Sequence, residues 1–405
     1  MKIIKRLLLA VLIFNLFPLA AYADNTKYLL SDRELFECEA FAEWVRENID
    51  GAEDGKLSEW ECLRVREINV EGEKKITSIE GISIFTNLFS LDVSGSGVRE
   101  IDVSKNKKIA FLDLSDTAIT SLDTKSNKRM YSLYADNTDI CELDTSSCTE
   151  LNTLSLSGSD VKRLELSNNT ALFCLSARES ALAELNVKGL SQLTVIDISG
   201  TSVENVSLDG CVSLAHLDLS NTKIQEIDLS HSPLIEYLNA SHTNIETVDV
   251  RGKTELRYLD LSHTKICGVD LLGCEKISYI NIENTEVREL ELFSKSVLDT
   301  LIAGKTKISE IDLSEAENLK YLFLCDTPIY RLVLHKNTQS GTQINLDGTP
   351  LFEKTPSELV KSDDENSEKS LLELDKKSVL CISHKSVNLY EKYFFKKLFQ
   401  KLLKK

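Results

Sequence analysis

Proline and glycine are scarce, 5 and 16 of 405 residues, which leaves little material for irregular loops. One regular architecture therefore fits better than the two or three domains the length alone would allow. Positive charge is also short. Lys and Arg number 47 against 64 Asp and Glu, for a net charge of −17, so most of this surface would repel nucleic acid. Beyond residue 20 no apolar run approaches the ~20 residues a membrane span needs, and no wall-sorting pattern closes the chain. The motifs of common catalysts are missing as well: no Ser on a strained strand-to-helix turn, no Gly-rich loop opening a helix, no His-Glu pair at helical spacing. An enzyme is not expected.

The N-terminus carries an address. Lys2, Lys5 and Arg6 precede a mostly apolar stretch from Leu7 to Ala20, and Ala21-Tyr22-Ala23 offers small residues before a cut. That order reads as a Sec signal peptide over 1–23, with a mature chain from Asp24. No Cys follows closely enough to take a lipid. The expected location is the periplasm, the cell surface or the medium.

Internal repetition decides the architecture. From Leu88, one constant step lands in turn on Ile109, Met130, Leu151, Leu172, Leu193, Leu214, Ile235, Leu256, Ile277, Leu298 and Leu319. Twelve rungs thus run without insertion or deletion. With these residues as position 0, position 3 is Leu or Ile throughout, position 5 is Val, Leu, Ile or Ala, and positions 10 and 13 are aliphatic. A rung this small cannot bury its own apolar face, so rungs must stack and share a core. Positions 3 and 5 alternate as a short strand does. Stacked strands would form a parallel sheet at ~4.8 Å per rung. Positions 13 and 15 suggest a second extended segment, since so short a rung leaves little room for a helix.

The unit LxxLxLxxTxI, seen in Leu214-Ala-His-Leu217-Asp-Leu219-Ser-Asn-Thr222-Lys-Ile224, resembles the 21-residue leucine-rich repeats of bacterial internalins. The resemblance implies a leucine-rich-repeat β-solenoid, a horseshoe or arc with a parallel sheet on its concave side, and a role in adhesion or host contact. One departure is systematic. The family usually has Asn at position 8, where this chain has Thr in nine rungs (among them Thr117, Thr201 and Thr264) and Ser in three. A hydroxyl offers fewer donors than an amide but can satisfy one buried backbone group. The column is read as structural.

The organisation read from sequence is a signal peptide (1–23), a short helical cap (24–75), the solenoid (76–350), a charged linker (351–384) and a basic amphipathic helix (385–405). In the cap, helical spacing over Glu34 to Ile49 leads into Asp50-Gly-Ala-Glu-Asp54-Gly55-Lys-Leu57-Ser58-Glu-Trp-Glu61. This resembles an EF-hand loop, which implies calcium on Asp50, Asp54, Ser58 and Glu61. Ala52 stands where a third ligand belongs, so the alternative is a loop that merely joins two capping helices. Ile76 to Leu91 reads as a transitional first repeat, and Ile344 to Pro350 as a last half-rung displaced by one residue. In the C-terminal segment Tyr390, Phe394, Leu398 and Leu402 share a face, with Lys392, Lys396, Lys397, Lys401, Lys404 and Lys405 around it. Such a helix could dock on the open end of the solenoid or lie on anionic lipid, a peripheral membrane contact through 387–405.

The remaining candidates fall in columns. Cys148, Cys211 and Cys274 share position 18, three rungs apart and too far for a bridge, so buried thiols and few or no disulfides are expected. His242 and His263 share position 7 in adjacent rungs, read as surface residues since no third metal ligand is indicated. Asp228, Asp249 and Asp270 share position 14, where they would tie a turn. The outward strand positions are the candidate binding surface: His216, Tyr237, Tyr258 and Tyr279 at position 2, and Asp218, Asn239, Asp260 and Asn281 at position 4. Aromatic and polar side chains held on a rigid sheet would anchor a protein or glycan partner, with the chain a monomer. The competing reading is a structural envelope protein held at a membrane by its C-terminal helix.

Overall fold

The computed structural model describes residues 27–351 apart from 293, 336, 337 and 339–341. The stretches read as a signal peptide and a basic C-terminal helix, and nearly all of that read as a linker, lie outside the described residues. Strand β1 (Lys27–Leu29) pairs antiparallel with β2 (Lys56–Ser58), placing Tyr28 opposite Leu57. Between them α1 (Glu39–Asn48) buries Phe41, Ala42 and Val45. The helical spacing begins at Glu34, but the helix starts only at Glu39. Asp32 draws in the chain first, accepting Glu34 N–H on its carboxylate and Phe36 N–H on its carbonyl. After β2 comes α2 (Glu59–Arg64), opened by a reciprocal cap in which Ser58 Oγ accepts Glu61 N–H and Glu61 Oε2 accepts Ser58 N–H.

One parallel sheet of 14 strands then runs the length of the described chain, from β3 (Glu67–Asn69) to the strand Gln343–Asn345. β3 lies within the stretch read as cap, so the sheet begins one rung before the regular repeat. Its Ile68 pairs with Leu91 across a spacing wider than the regular step, which is why a search at the repeat period passes over it. At the other end Leu322 pairs with Ile344, the one-residue displacement that the sequence shows. A single apolar core runs from Leu30 to Leu351, as stacking of incomplete rungs requires.

Each rung is built by the same local devices. The strand covers positions 2 to 4, as in His216–Asp218 or Tyr237–Asn239. Where position 4 is Asp or Asn, its side chain then bends the chain: Asp218 Oδ1 accepts the N–H and hydroxyl of Ser220 at 2.9 and 2.6 Å. Position 7 follows in the left-handed region, with φ of 53–59° at Asp116, Asn137, Glu179, Asn221, His242, His263, Asn284, Lys305 and Asp326. Glycine serves in other rungs, such as Gly95 and Gly200. The position-8 hydroxyl closes the turn by donating to the position-5 carbonyl, 2.6 Å from Thr222 Oγ1 to Leu219 O. Thr117, Thr138, Thr201, Thr243, Thr264, Thr285, Thr306 and Thr327 repeat it, so the column works inward, on backbone.

From position 12 a second extended segment pairs between neighbouring rungs in two places: Arg163–Glu165 with Glu184–Asn186, and Glu310–Leu313 with Arg331–Leu334. Position 14 ties the next turn. Asp102, Asp228, Asp249 and Asp270 each accept the N–H two residues on, at 2.8 to 3.0 Å. These bonds hold the Asp102, Asp228 and Asp270 carboxyls below the usual carboxylate range.

Position 18 is the inner seam. Asn169 Nδ2 donates to Thr145 O and Cys148 O of the preceding rung, both at 2.9 Å, and Asn106 and Asn127 do the same one turn after another. Cys148, Cys211 and Cys274 are buried in the same seam with thiols against these carbonyls. Burial pushes all three thiols up, that of Cys211 to about 11. Cys38, Cys141, Cys148, Cys174, Cys211, Cys267, Cys274 and Cys325 are free thiols. Two positions hold a surprise: Lys253 and Lys295 are buried here, 8% and 3% exposed. Their ammonium groups reach Leu229 O at 2.6 Å and Leu271 O at 3.1 Å. The lysines substitute for Asn as donors, and burial lowers the Lys253 pKa.

Candidate functional site

The open face of the sheet brings the candidate residues together but does not present them as expected. His216, Tyr237, Tyr258 and Tyr279 form one stack, with ring centroids 4.1, 4.3 and 4.4 Å apart and planes within 14° of parallel. The parallel register places identical positions side by side, so side chains repeat at nearly the strand spacing and flat rings close the gap by stacking. Such pairs contribute about 0.5–1.5 kcal/mol each beyond their buried area. The rings do not stand exposed: Tyr237 and Tyr258 are 1% accessible, Tyr279 4% and His216 1%. Alternation along a strand tells which face a residue takes, not what covers it. Burial holds the His216 imidazole neutral, its pKa pushed down to about 3.

Beside the rings runs a carboxylate–amide column. Asn239 Nδ2 donates to Asp218 Oδ2 at 3.2 Å, and Asn281 Nδ2 to Asp260 Oδ2 at 2.9 Å. Alternating Asp with Asn prevents the repulsion a file of carboxylates would suffer. The inner oxygens are spent on the turn, as at Asp260, where Oδ1 takes Ser262 N–H and Oγ. Burial raises the Asp260 pKa, outweighing those hydrogen bonds. At the end of these strands a shallow polar cleft is lined by Arg178, Glu179, Ser199, Asp218, Asn221 and Asn239. Arg178, Glu179 and Asn221 are exposed there.

A second aromatic group was not read from the sequence. Phe89, Phe111 and Tyr131 meet at the start of the first strands, with centroids 5.2 and 5.9 Å apart. Phe89 and Tyr131 are 45% and 44% exposed. The step from Phe89 to Phe111 is one longer than the repeat, and that from Phe111 to Tyr131 one shorter. A column search at the repeat period therefore divides them between positions 1 and 2. The readable signal was the density of aromatics in the first three rungs, not their register.

His242 and His263 stack at 4.2 Å because both fill the left-handed turn position, and Asn284 Nδ2 lies 3.0 Å from His263 Nδ1. In the cap loop Asp50 Oδ2 accepts Gly55 N–H, while Glu61 turns inward to accept Gly51 N–H and the Ser58 N–H and hydroxyl. Asp50 is 5% exposed, and its Oδ1 meets no donor among the described residues. Asp54 instead accepts Lys56 N–H. Among the described residues no group of three or more His, Cys, Asp or Glu side chains is arranged to hold a metal ion. None of the described helices is long and apolar enough to cross a membrane.

Stacked parallel strands, a turn after each and an inner polar seam define a leucine-rich-repeat solenoid. Solved structures carry the same fold. The functional domain of InlJ from Listeria monocytogenes, which includes a cysteine ladder, matches with a TM-score of 0.63 at 21% identity, over 77% of this chain and 74% of its own. An internalin, InlF, from the same organism matches with a TM-score of 0.61 at 20% identity, over 83% of this chain and 97% of its own. The LRIM1/APL1C complex, an assembly of proteins, matches with a TM-score of 0.54 at 16% identity, over 62% of this chain and 50% of its own. No protein-family model and no curated protein sequence matches. The chain therefore has the internalin-type leucine-rich-repeat fold.

Proposed function

We propose that the chain is an exported recognition protein that binds a protein or glycan partner through the open face of its sheet, with no catalytic step. The observation that carries this reading is the exposed aromatic group Phe89–Phe111–Tyr131. It lies on the same rigid sheet as the polar cleft at Arg178 and Asn221. Large aromatics held in place before contact lose little freedom on binding, and so anchor interfaces. The fold is one in which other chains assemble with proteins, as in the LRIM1/APL1C complex.

Phe89→Ser with Tyr131→Ser, and separately Arg178→Glu with Asn221→Glu, test the face while sparing the core. Lys188→Glu, on the far side of the rung where Lys188 pairs with Asp209, serves as control. The mature chain and each variant would be immobilised and exposed to a glycan array and to surface proteins of neighbouring cells. At least a tenfold loss of the captured species in either face variant, with retention in the control and unchanged melting, supports the reading. Equal capture by all three would exclude this face.

A further inference from the structure

We propose that the first rungs bind a linear acidic polysaccharide along the edge where the strands begin. Its sugar rings lie on Phe89, Phe111 and Tyr131, and its anions meet Arg66, Lys108 and Arg129. This rests on the recognition reading and names the class of partner. The first ground is a file of cations without counter-charges. Phe89 N–H donates to Arg66 O at 2.8 Å, which aligns Arg66 with position 1 of the next rung. Phe111 pairs with Ser132, so Lys108 and Arg129, both at position 20, stand one strand spacing apart, ~4.8 Å at the backbone. Like charges so placed repel each other. Lys107 and Lys128 adjoin them, and all five side chains are exposed.

Farther along these two columns the preceding rung neutralises each cation. Lys276 meets Glu255 at 2.5 Å, Arg257 meets Glu236 at 3.9 Å and Lys320 meets Asp299 at 3.4 Å. Arg66, Lys108 and Arg129 form no ion pair with any described residue. Lys108 Nζ reaches the amide oxygen of Asn87 instead, at 2.5 Å. Glu67 and Glu150, at the two ends of the file, are likewise outside any such pair. On a chain of net charge −17, this stretch draws an anion that most of the surface repels.

The second ground is the attitude of the rings. Phe89 meets Phe111 at 62°, and Phe111 meets Tyr131 at 54°, so flat faces are left uncovered. The parallel stack from His216 to Tyr279 covers such faces with the next ring. The C–H face of a pyranose is weakly positive and packs on the negative face of an aromatic ring. The third ground is spacing. The centroids are 5.2 and 5.9 Å apart, and a polyuronate repeats one ring and one carboxylate at a similar step. A chain crossing these strands therefore meets a ring and a cation together. A single nucleic-acid strand also offers rings and anions, at a longer step once its bases are spread, and is the competing occupant.

The mature chain is titrated with polygalacturonate, chondroitin sulfate, fully methyl-esterified polygalacturonate and an oligothymidylate. At least one acidic polysaccharide should bind, at least tenfold more tightly than the ester or the oligothymidylate. Its log affinity should fall with log salt at a slope of about −2, at roughly 0.7 counterion per neutralised cation. Lys108→Gln with Arg129→Gln, and separately Phe89→Ser with Tyr131→Ser, should each cost at least tenfold at unchanged circular dichroism. Lys276→Gln, taken from an ion pair, should cost nothing. Failure of both acidic polysaccharides to bind overturns the proposal, as does an ester that binds equally well. An oligothymidylate bound as tightly overturns it in favour of nucleic acid. Loss in the charge variant alone means plain ion exchange and overturns it too. The recognition reading can survive each of these results. A protein or neutral glycan captured through Phe89 and Tyr131, yet retained by the charge variant, supports that reading and refutes this one.

Discussion

Acid should loosen the middle of the sheet through one imidazole. His216 is 1% exposed and stacked on Tyr237 at 4.1 Å, with its pKa down from 6.5 to about 3. A group whose folded pKa is depressed contributes stability fully above its unfolded value and loses it as pH falls toward the folded one. The window is therefore pH 6.5 down to about 3. At pH 4.5 the unfolded chain holds this proton and the folded chain does not, a difference of about 2–3 kcal/mol. Phe in place of His keeps a ring for Tyr237 and removes the titration. Carboxyls held low elsewhere, such as Asp102 and Asp144, also weaken the fold in acid, so the difference between the two proteins isolates the imidazole. Hydrogen exchange at the strands from Val195 to Asp260 would be compared at pH 7.5 and 4.5, after correction for intrinsic rates. The parent should lose about 2–3 kcal/mol more protection than His216→Phe. Equal losses would refute the argument that burial keeps this imidazole neutral.

Other consequences follow from the seam, the cap and the chain's address. Asn169→Leu strands two buried carbonyls and should cost about 2–4 kcal/mol in urea unfolding, whereas a much smaller loss would mean that water or a neighbour replaces the amide. Cys141 and Cys267 are exposed and should react with Ellman's reagent in the folded chain, while Cys148, Cys211 and Cys274 wait for denaturant; simultaneous reaction would contradict the seam. We propose that calcium binds weakly at Asp50, Asp54, Ser58 and Glu61, and that it must first draw Asp54 and Glu61 from the backbone N–H groups they accept. With a Kd on the order of 1 mM, a tenfold excess of calcium over that value should stabilise the cap by about 1.4 kcal/mol and do nothing for Asp50→Ala. An unmoved melting curve in the parent would leave a plain capping loop. Fractionation should find the chain in the periplasm, at the surface or in the medium. Recovery in membranes, reversed by deleting 387–405, would favour the envelope reading instead.

The apolar columns at positions 3, 5, 10 and 13 were legible because burial inside a repeat admits one chemistry, and they carried the fold. The hydroxyl column at position 8 and the Asp column at position 14 were legible too, since short polar side chains before a turn have few uses. Position 7 was not. Its occupants run from Gly through Asp and His to Lys, and what unites them is a backbone angle rather than a chemistry. Lys253 and Lys295 were hidden for the opposite reason, because a lysine reads as solvent-exposed until its ammonium is seen among carbonyls. The outward column was placed on the correct face, but its burial depends on neighbours in space. Charge or period alone could not show that Tyr237 and Tyr258 are nearly inaccessible while Tyr131 is open.

Hydroxyl-radical footprinting of the mature chain with and without its captured partner tests the central claim most directly. Oxidation of Phe89, Phe111 and Tyr131 should fall at least fivefold in the complex, while the exposed Leu234 and Leu272 keep their rates. Protection of Leu234 and Leu272 with the aromatic group unchanged would contradict it and move recognition off the sheet.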